Sequence, residues 1–323
     1  MIMSQTIVYN GLILNRAMKK YLITGVTGFL GKKLANELLL SGYYVIGIGR
    51  KSSHHLPEEL LENTSFSYFQ LSLTNDDISV IDGIKIDGVY HLASRILSEN
   101  INDFKQFHDD NVYATFNLLN YFKNQTLDFF LYTSTNSIFS DSLETPINEQ
   151  TSPNPSSYYG LTKYFAEQLI FMEAKKMNTK CIVFRFSSIF GKDDKFGLVN
   201  ALAKSAKHNQ KIELYSNYNK FRSLIPDIDV VTVLVSVTKK YKNLASFELF
   251  EIGGSESLTT LEIVNLIKQE LNSKSEIELS NKITQFNWDI FVDSSRAKHK
   301  LGYKPSPLKD SIIFYLNQFK NEL

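Results

Sequence analysis

The sequence predicts an α/β protein built on a doubly wound parallel sheet, and two observations carry that prediction. From Lys19 to about Phe190, short apolar strands alternate with helix-patterned segments, the signature of right-handed βαβ units. At the first strand-to-helix junction, Thr24-Gly25-Val26-Thr27-Gly28-Phe29-Leu30-Gly31 sets three glycines at a G-x-x-G-x-x-G spacing. Tyr21-Leu22-Ile23 ends the apolar strand before that turn, and Leu30, Leu34, Leu38 and Leu39 recur at helical spacing after it.

A side chain in such a turn would hold the backbone away from a phosphate, while free N–H groups and the positive end of the new helix attract the anion. Gly25, Thr27, Gly28, Phe29, Leu30 and Gly31 are therefore candidate contacts to the pyrophosphate of a dinucleotide. The same spacing also serves a tight turn with close helix–strand packing, so its surroundings decide. The next element, Tyr43-Tyr44-Val45-Ile46-Gly47-Ile48-Gly49, reads as a second apolar strand ending in Arg50-Lys51-Ser52-Ser53. In dinucleotide folds the adenine ribose lies there, and an acid would bind the 2′-hydroxyl of NAD. No acid follows this strand. Arg50 and Lys51 offer charge to a 2′-phosphate instead, so NADP is the expected cofactor and NAD the alternative. A solvated basic turn is the competing reading of the same two residues.

Further along, Tyr159 and Lys163 lie four residues apart at the start of a helix-patterned segment running to about Lys176, with Phe165, Leu169 and Met172 on one face. A free phenol has a pKa of ~10. A neighbouring ammonium lowers it by roughly 1–3 units, which would let Tyr159 exchange a proton with a carbinol or carbonyl oxygen while hydride moves to or from a nicotinamide. Alone, the pair also describes a surface tyrosine beside a solvated lysine; together with the glycine turn it describes an acid/base.

These landmarks occur with others in a fixed order. His91-Leu92-Ala93-Ser94 follows the fourth strand, then come Asn111-Val112-Tyr113-Ala114-Thr115, the strand end Tyr132-Thr133-Ser134-Thr135, and Arg185-Phe186-Ser187-Ser188-Ile189-Phe190-Gly191. Arg222-Ser223-Leu224-Ile225 with Asp229, Asp293-Ser294-Ser295-Arg296 and Leu301-Gly302-Tyr303 complete the series. In this order and spacing, from about Lys19 to the end, the chain resembles the extended short-chain dehydrogenase/reductase family, the NAD-dependent epimerase/dehydratases that include nucleotide-sugar epimerases and 4-keto-sugar reductases.

The resemblance implies a Rossmann-type fold with a smaller C-terminal substrate-binding lobe, and it implies roles position by position. Thr135 corresponds to the hydroxyl that bonds the reacting sugar oxygen, Tyr159 to the acid/base, and Lys163 to the residue that holds the nicotinamide ribose and tunes the tyrosine. A hydroxyl, a phenol and an ammonium are also what the chemistry needs. The cofactor is further implied to meet Ser72, Leu73, Leu92, Ala93, Ser94, Asn111, Thr133, Phe186 and Ser188. Ser134, Asn136, Ser188 and Arg222 are implied on the substrate side, Arg222 as a fork of donors for a diphosphate. A satisfied strand-end serine competes for Ser134, and a surface salt bridge competes for Arg222.

Departures from the family pattern narrow the reaction. Asn136 and Ser137 stand where dehydratases carry an aspartate and a glutamate, which disfavours 4,6-dehydration. Ser72 replaces an aspartate near the adenine, Ser188 replaces a frequent asparagine, and Lys282 is the only base between Leu279 and Val292, where epimerases bring a second arginine. The expected function is hydride transfer at C4 of a nucleotide sugar, leaning to an NADPH-dependent 4-keto-sugar reductase. A 4-epimerase that retains NAD is the alternative, and an idle NADP-binding regulator a more distant one.

Composition constrains less. The 323 residues hold one large domain or two modest ones. With 35 basic against 34 acidic residues, there is no electrostatic footprint for nucleic acid or an anionic membrane. The single cysteine, Cys181, lies in an apolar run and is read as a buried strand residue of a reducing, cytoplasmic protein. The six histidines have no metal-ligand spacing, so no metal site is expected, and His91 is read as a structural strand-end residue.

The expected organisation is a flexible extension over 1–17, a dinucleotide-binding domain over 18–190 and a substrate-binding lobe over 191–323. Residues 1–17 are too short and interrupted for a membrane span and lack signal-peptide features. Within the lobe, the resemblance implies that the chain returns to the main sheet, which Phe247 to Ile252 followed by Gly253-Gly254 fits, and Ser257 to Leu271 reads as a helix turning Leu261, Val264 and Ile267 inward. The resemblance also implies a homodimer paired through the helices around Asn111–Phe122 and Tyr159–Met172, which light scattering at micromolar concentration would read as twice the chain mass.

Overall fold

The computed structural model describes residues 8–9, 12–13, 18–96, 103–140, 145–194, 196–282 and 287–320. The extension expected over 1–17 lies outside them, apart from Val8–Tyr9 and Leu12–Ile13, which pair antiparallel.

The chain opens with β1 (Lys20–Thr24), α1 (Phe29–Leu40), β2 (Tyr44–Gly49), β3 (Phe66–Gln70) and β4 (Gly88–His91). A helical turn at Phe104–Phe107 and a π-helical segment at His108–Tyr113 lead without a break into α2 (Ala114–Phe122). Then follow β5 (Phe129–Thr135), α3 (Tyr158–Ala174) and β6 (Lys180–Phe186). The remainder comprises β7 (Ser188–Phe190), α4 (Leu198–Lys207), β8 (Ile212–Leu214), β9 (Phe221–Pro226), α5 (Asp227–Lys240) and β10 (Phe247–Ile252). It ends with β11 (Ser257–Thr259), α6 (Thr260–Glu270), β12 (Ile277–Leu279), α7 (Ser295–Leu301) and α8 (Leu308–Lys320).

Seven strands form one parallel sheet in the order β10-β6-β5-β4-β1-β2-β3. Its strands are apolar in nearly unbroken runs because both faces are covered. Side chains alternate between them: Tyr21 and Ile23 enter the core under α1, α5 and α7, while Leu22 enters the opposite core under α2 and α3. Cys181 is buried in that second core, as its apolar run predicts. The chain runs outward from β1 through β2 to β3, then crosses back to lay β4 on the other side of β1. That reversal opens a crevice over the carboxyl ends of β1 and β4, the place where open α/β sheets hold ligands.

Beyond Phe190 the elements are shorter. β9 pairs parallel with β7 and antiparallel with β11, β8 pairs parallel with β12, and α4, α6 and α8 close a third apolar core over them. Phe247–Ile252 returns to the main sheet beside β6 as the family resemblance implies. Two helices return as well, α5 and α7, both packed on the first core. The helix expected from Ser257 starts later: Ser257-Leu258-Thr259 is held as a strand against β9, and Thr259 with Glu262 forms a capping box that starts the helix at Thr260. Phe116 on α2, and Phe165 and Met172 on α3, remain exposed on the two helices that the family resemblance assigns to subunit pairing.

Candidate functional site

Gly25 ends β1 with φ +73°, and a Cβ there would stand 2.8 Å from the Ala93 backbone nitrogen and 2.9 Å from its Cα. The turn therefore needs glycine for both its conformation and its contact with the chain leaving β4. Gly31 serves packing, since its Cβ would come within 2.3 Å of the Gly25 carbonyl oxygen. Gly28 caps α1 without any side-chain bond, and the first turn through Phe29 and Leu30 carries no acid. That positive helix end faces the crevice without a built-in anion.

His91 pins the two strand ends. Its Nδ1 lies 2.7 Å from Thr24 Oγ1 and its Nε2 2.9 Å from Thr115 Oγ1, and Ala93 N donates to Thr24 Oγ1 at 3.2 Å. Burial, helped by Lys163, pulls the ring down to about 3, so it acts as a neutral strut. Over this floor lies a trough of about 220 Å³, lined by Gly25, Thr27, Gly28, Arg50, Lys51, Ser72, Leu73, Leu92, Ala93 and Ser94.

Two predicted cofactor residues behave differently. Asn111 does not line the trough; it is buried and acts as a bracket. Its Oδ1 accepts from Ser94 Oγ at 3.0 Å and Arg95 N at 2.7 Å, and its Nδ2 donates to Arg95 O at 3.2 Å and Thr162 Oγ1 at 3.1 Å. It positions the Ser94 loop rather than reaching into the trough. Arg50 does line the trough, but its charge is engaged: Nη1 lies 3.0 and 2.9 Å from the two carboxylate oxygens of Asp110. Arg50, read in the sequence as charge offered to a 2′-phosphate, thus already has a carboxylate beside it, brought by a different element. Lys51 has no acidic partner among the described residues.

At the far end of β5, three predicted catalytic residues come together. Ser157 caps α3 by accepting from Gly160 N at 3.1 Å. Gly160 is required because a Cβ would stand 2.1 Å from the Ser137 carbonyl oxygen. This close approach brings Tyr159 beside Thr135, whose Oγ1 donates to Ser137 Oγ at 3.2 Å. Lys163 is buried and donates from Nζ to Thr133 O at 2.6 Å, with the Tyr132 ring 4.1 Å away. Burial pulls Lys163 down to about 7, opposed by Glu167. Burial pushes the Tyr159 phenol up to about 12, opposed by the neighbouring Thr135 hydroxyl. The expected lowering of the phenol by a neighbouring ammonium is thus reversed here, because Lys163 is turned to a backbone carbonyl and desolvation dominates. At neutral pH Tyr159 holds its proton.

Thr135 also opens a second cavity, of about 500 Å³, that extends under the C-terminal lobe. Asn136, Phe186, Ser188 and Arg222 line it, as do residues the sequence did not single out, among them Lys211, Tyr215 and Trp288. Arg222 is buried and donates from Nη1 to Trp288 O at 3.1 Å, which removes its surface salt-bridge reading. Ser134 is buried and its Oγ has no partner among the described residues, contrary to the satisfied serine that competed for it.

Behind this cavity lies a buried ionic network that no spacing in the sequence reveals. Arg185 binds Glu167 with Nε and Nη2 at 2.7–3.1 Å and Glu251 with Nη1 at 3.1 Å, and Asn136 Nδ2 donates to Glu251 at 2.7 Å. Burial pushes Glu251 up to about 8 against the pull of Arg185. Asn136, predicted on the substrate side, thus also ties the turn after Thr135 to β10.

The residues present fit a dinucleotide. The glycine cradle would be filled by a single Cβ, the uncapped end of α1 suits a pyrophosphate, and Lys163 and Tyr159 lie at the nicotinamide end of the same sheet edge. No helix of the described residues is long and apolar enough to cross a membrane.

Comparison with known proteins agrees with this architecture. The NAD dependent epimerase/dehydratase family model matches residues 21–253. The "Uncharacterized UDP-glucose epimerase YtcB" of Bacillus subtilis (strain 168) is 27% identical over 314 residues, covering 92% of this chain and 98% of its own length. A dTDP-4-dehydro-6-deoxyglucose reductase of Escherichia coli is 26% identical over 302 residues, covering 90% and 94%. Among solved structures, the UDP-glucuronic acid 4-epimerase from Bacillus cereus, in complex with UDP-glucuronic acid and NAD, aligns with TM-score 0.84 at 25% identity, covering 93% of this chain and 99% of that one.

Proposed function

The chain belongs to the NAD-dependent epimerase/dehydratase family, and from that premise we propose that it catalyses NAD-dependent hydride transfer at C4 of a nucleotide sugar, as a 4-epimerase. The observation that carries the reading is the position of Thr135, which lines the 500 Å³ cavity and lies beside Tyr159. A sugar seated in the cavity with its C4 oxygen at Thr135 meets the phenol directly.

In this reading the glycine turn and α1 hold the pyrophosphate, and Lys163 orients the nicotinamide ribose. A bound nicotinamide supplies the hydride acceptor and donor. Tyr159 rests protonated, so taking the C4 hydroxyl proton as hydride leaves requires its phenolate, which the positive charges of Lys163 and an oxidised nicotinamide would favour; it returns the proton when hydride comes back, while Thr135 steadies the oxygen in both states. Arg222 binds the diphosphate from the cavity wall. The pairing of Arg50 with Asp110 favours retained NAD over NADPH, and so an epimerase that recycles its hydride over a reductase. The epimerase relatives at 25–27% identity agree with that choice. A homodimer through the exposed faces of α2 and α3, acting in the cytoplasm, belongs to the same reading.

The 4-keto-sugar reductase is the second reading, favoured by the unpaired Lys51 and by the 26% identical reductase. Releasing the cofactor of the purified protein with denaturant, and then assaying UDP-glucose and a 4-keto dTDP-sugar, separates the two. The epimerase reading expects retained NAD and interconversion of C4 epimers without net cofactor consumption. Tyr159→Phe should slow turnover by roughly 10²–10⁴-fold. Stoichiometric NADPH oxidation by the keto-sugar would transfer the assignment to the reductase, and no turnover with either would remove both.

A further inference from the structure

Next to the trough, on the side of the adenine end, lies a cavity of about 760 Å³ whose charges are internally matched: Arg50, Arg95 and Lys105 face Asp76, Asp109 and Asp110. Asp110 is the centre of that set. Its carboxylate takes Arg50 Nη1 at 2.9 and 3.0 Å and Arg95 Nε at 2.7 Å, and it is nearly buried while Arg50 remains half exposed. Lys105 is paired with Asp109 at 2.5 Å, and Asp76 accepts from Ser72 N at 2.5 Å. Asp110 lines both this cavity and the trough.

The carboxylate is held there by its backbone. Asp110 lies in the π-helical segment, whose wider turn carries one more residue per turn than an α-helix would. The next residue, Asn111, brackets Arg95 through both its N–H and its carbonyl. The loop after β4 and the π-helical segment thus present Arg95 and Asp110 to each other as a fixed pair, with Arg50 reaching over from the end of β2.

We propose that Asp110 sets the preference for NAD over NADP: it supplies, from the π-helical segment, the carboxylate that is missing from the end of β2. Resting on the dinucleotide reading of the trough, the assignment has a simple electrostatic content. The carboxylate cancels one of the two guanidinium charges and holds both groups by hydrogen bonds, accepts a hydrogen bond from a ribose hydroxyl, and repels the dianionic 2′-phosphate. Without it, the same two guanidinium groups and Lys51 become a phosphate site of three cations.

The test is equilibrium binding of NADH and NADPH, read by nicotinamide fluorescence, to the wild-type protein, Asp110→Asn and the double variant Asp110→Asn/Arg50→Ala. The wild-type protein should prefer NADH. Asp110→Asn should move the NADPH-to-NADH affinity ratio toward NADPH by about tenfold or more, and Arg50→Ala in that background should reverse most of the gain. A ratio changed by less than about twofold, or a wild-type protein that already prefers NADPH, overturns the assignment. Wild-type protein that binds neither nucleotide overturns the underlying dinucleotide reading instead. Should Asp110→Asn fail to fold, competition on the wild-type protein decides: 5′-ADP should displace NADH at lower concentration than 2′,5′-ADP does, and the opposite order refutes the role of Asp110.

Discussion

The trough over Gly25 and the cavity beyond Thr135 lie along one sheet edge, yet they are made of different material. The trough is shaped mainly by backbone: a left-handed glycine against Ala93, a helix end without a cap, and strand ends pinned by His91. The cavity is shaped by side chains from β5, β6, α4, β8, β9, α6 and the segment around Trp288. Backbone geometry survives wide variation in side chains, whereas side-chain walls are retuned one substitution at a time. On the proposed function, the first region would fix the class of ligand and the second which member of a substrate class is accepted.

A single methyl group tests this contrast most severely. Gly25→Ala places a Cβ within 2.9 Å of the Ala93 backbone at a positive φ, and backbone strain alone is of order 1–3 kcal/mol before the overlap is added. We expect NADH affinity to drop by roughly 10- to 100-fold or more, with the far cavity unaffected. Equilibrium titration of NADH reads the first part, and protection of the α4 and α6 amides in hydrogen exchange reads the second. Unchanged NADH affinity would mean that the turn does not approach the ligand, and the contrast between the two regions would lose its basis.

The same contrast explains what could be read from the sequence. The sheet was legible because its strands are buried on both faces and its glycines have conformational duties; the return of Phe247–Ile252 to it came from the family resemblance, which its apolar run and Gly253-Gly254 fit. Tyr159 and Lys163 were legible by their spacing on one helix, and Thr135 through the family resemblance. The Asp110 carboxylate was not, because nothing in Asp109-Asp110-Asn111 says that a π-turn will bring it to Arg50. For the same reason the Asp110 partner of Arg50, the bracket made by Asn111 and the Thr133 carbonyl that holds Lys163 were not legible. Each is the partner of a polar side chain, a tertiary fact that local pattern does not contain. The start of α6 was misplaced for a local reason, a capping box that ended a strand three residues into the apolar pattern.

The supports beneath the two regions should also respond oppositely to pH. His91, under the trough, is held near 3 against an ordinary 6.5. As pH falls from 6.5 toward 3 the unfolded chain takes up a proton that the fold refuses, and stability falls. Glu251, behind the cavity, is held near 8 against an ordinary 4.5. As pH rises from 4.5 toward 8 the unfolded chain gives up a proton that the fold retains, and stability falls again. Either slope is limited to about 1.4 kcal/mol per pH unit, so wild-type stability should peak between the two and decline toward pH 8. Glu251→Gln keeps the shape of the side chain and removes the second slope. Urea midpoints should therefore fall from pH 5.5 to pH 8 in the wild-type protein and rise over the same interval in E251Q, where only the His91 slope remains. A wild-type midpoint that rises as it does in E251Q would show that Glu251 is ionised beside Arg185 throughout.

The smallest effect is expected where one side chain among many shapes the cavity. Arg222 is buried, donates to Trp288 O, and carries a guanidinium whose pKa burial lowers against the pull of Asp289. If it binds a diphosphate, Arg222→Leu removes a charged hydrogen bond and should raise KM by about tenfold, the equivalent of ~1.4 kcal/mol. NADH affinity should stay the same, because the trough and the cavity share no wall. Turnover at saturation should also persist, since uniform binding is what a lost anchor removes. A purely structural arginine predicts another pattern: a lower melting temperature with KM unchanged, because the Trp288 segment would loosen without any loss of ligand charge. The split between KM and melting temperature thus decides whether the cavity wall at Arg222 is scaffold or binding surface, and with it whether substrate identity resides in the C-terminal lobe.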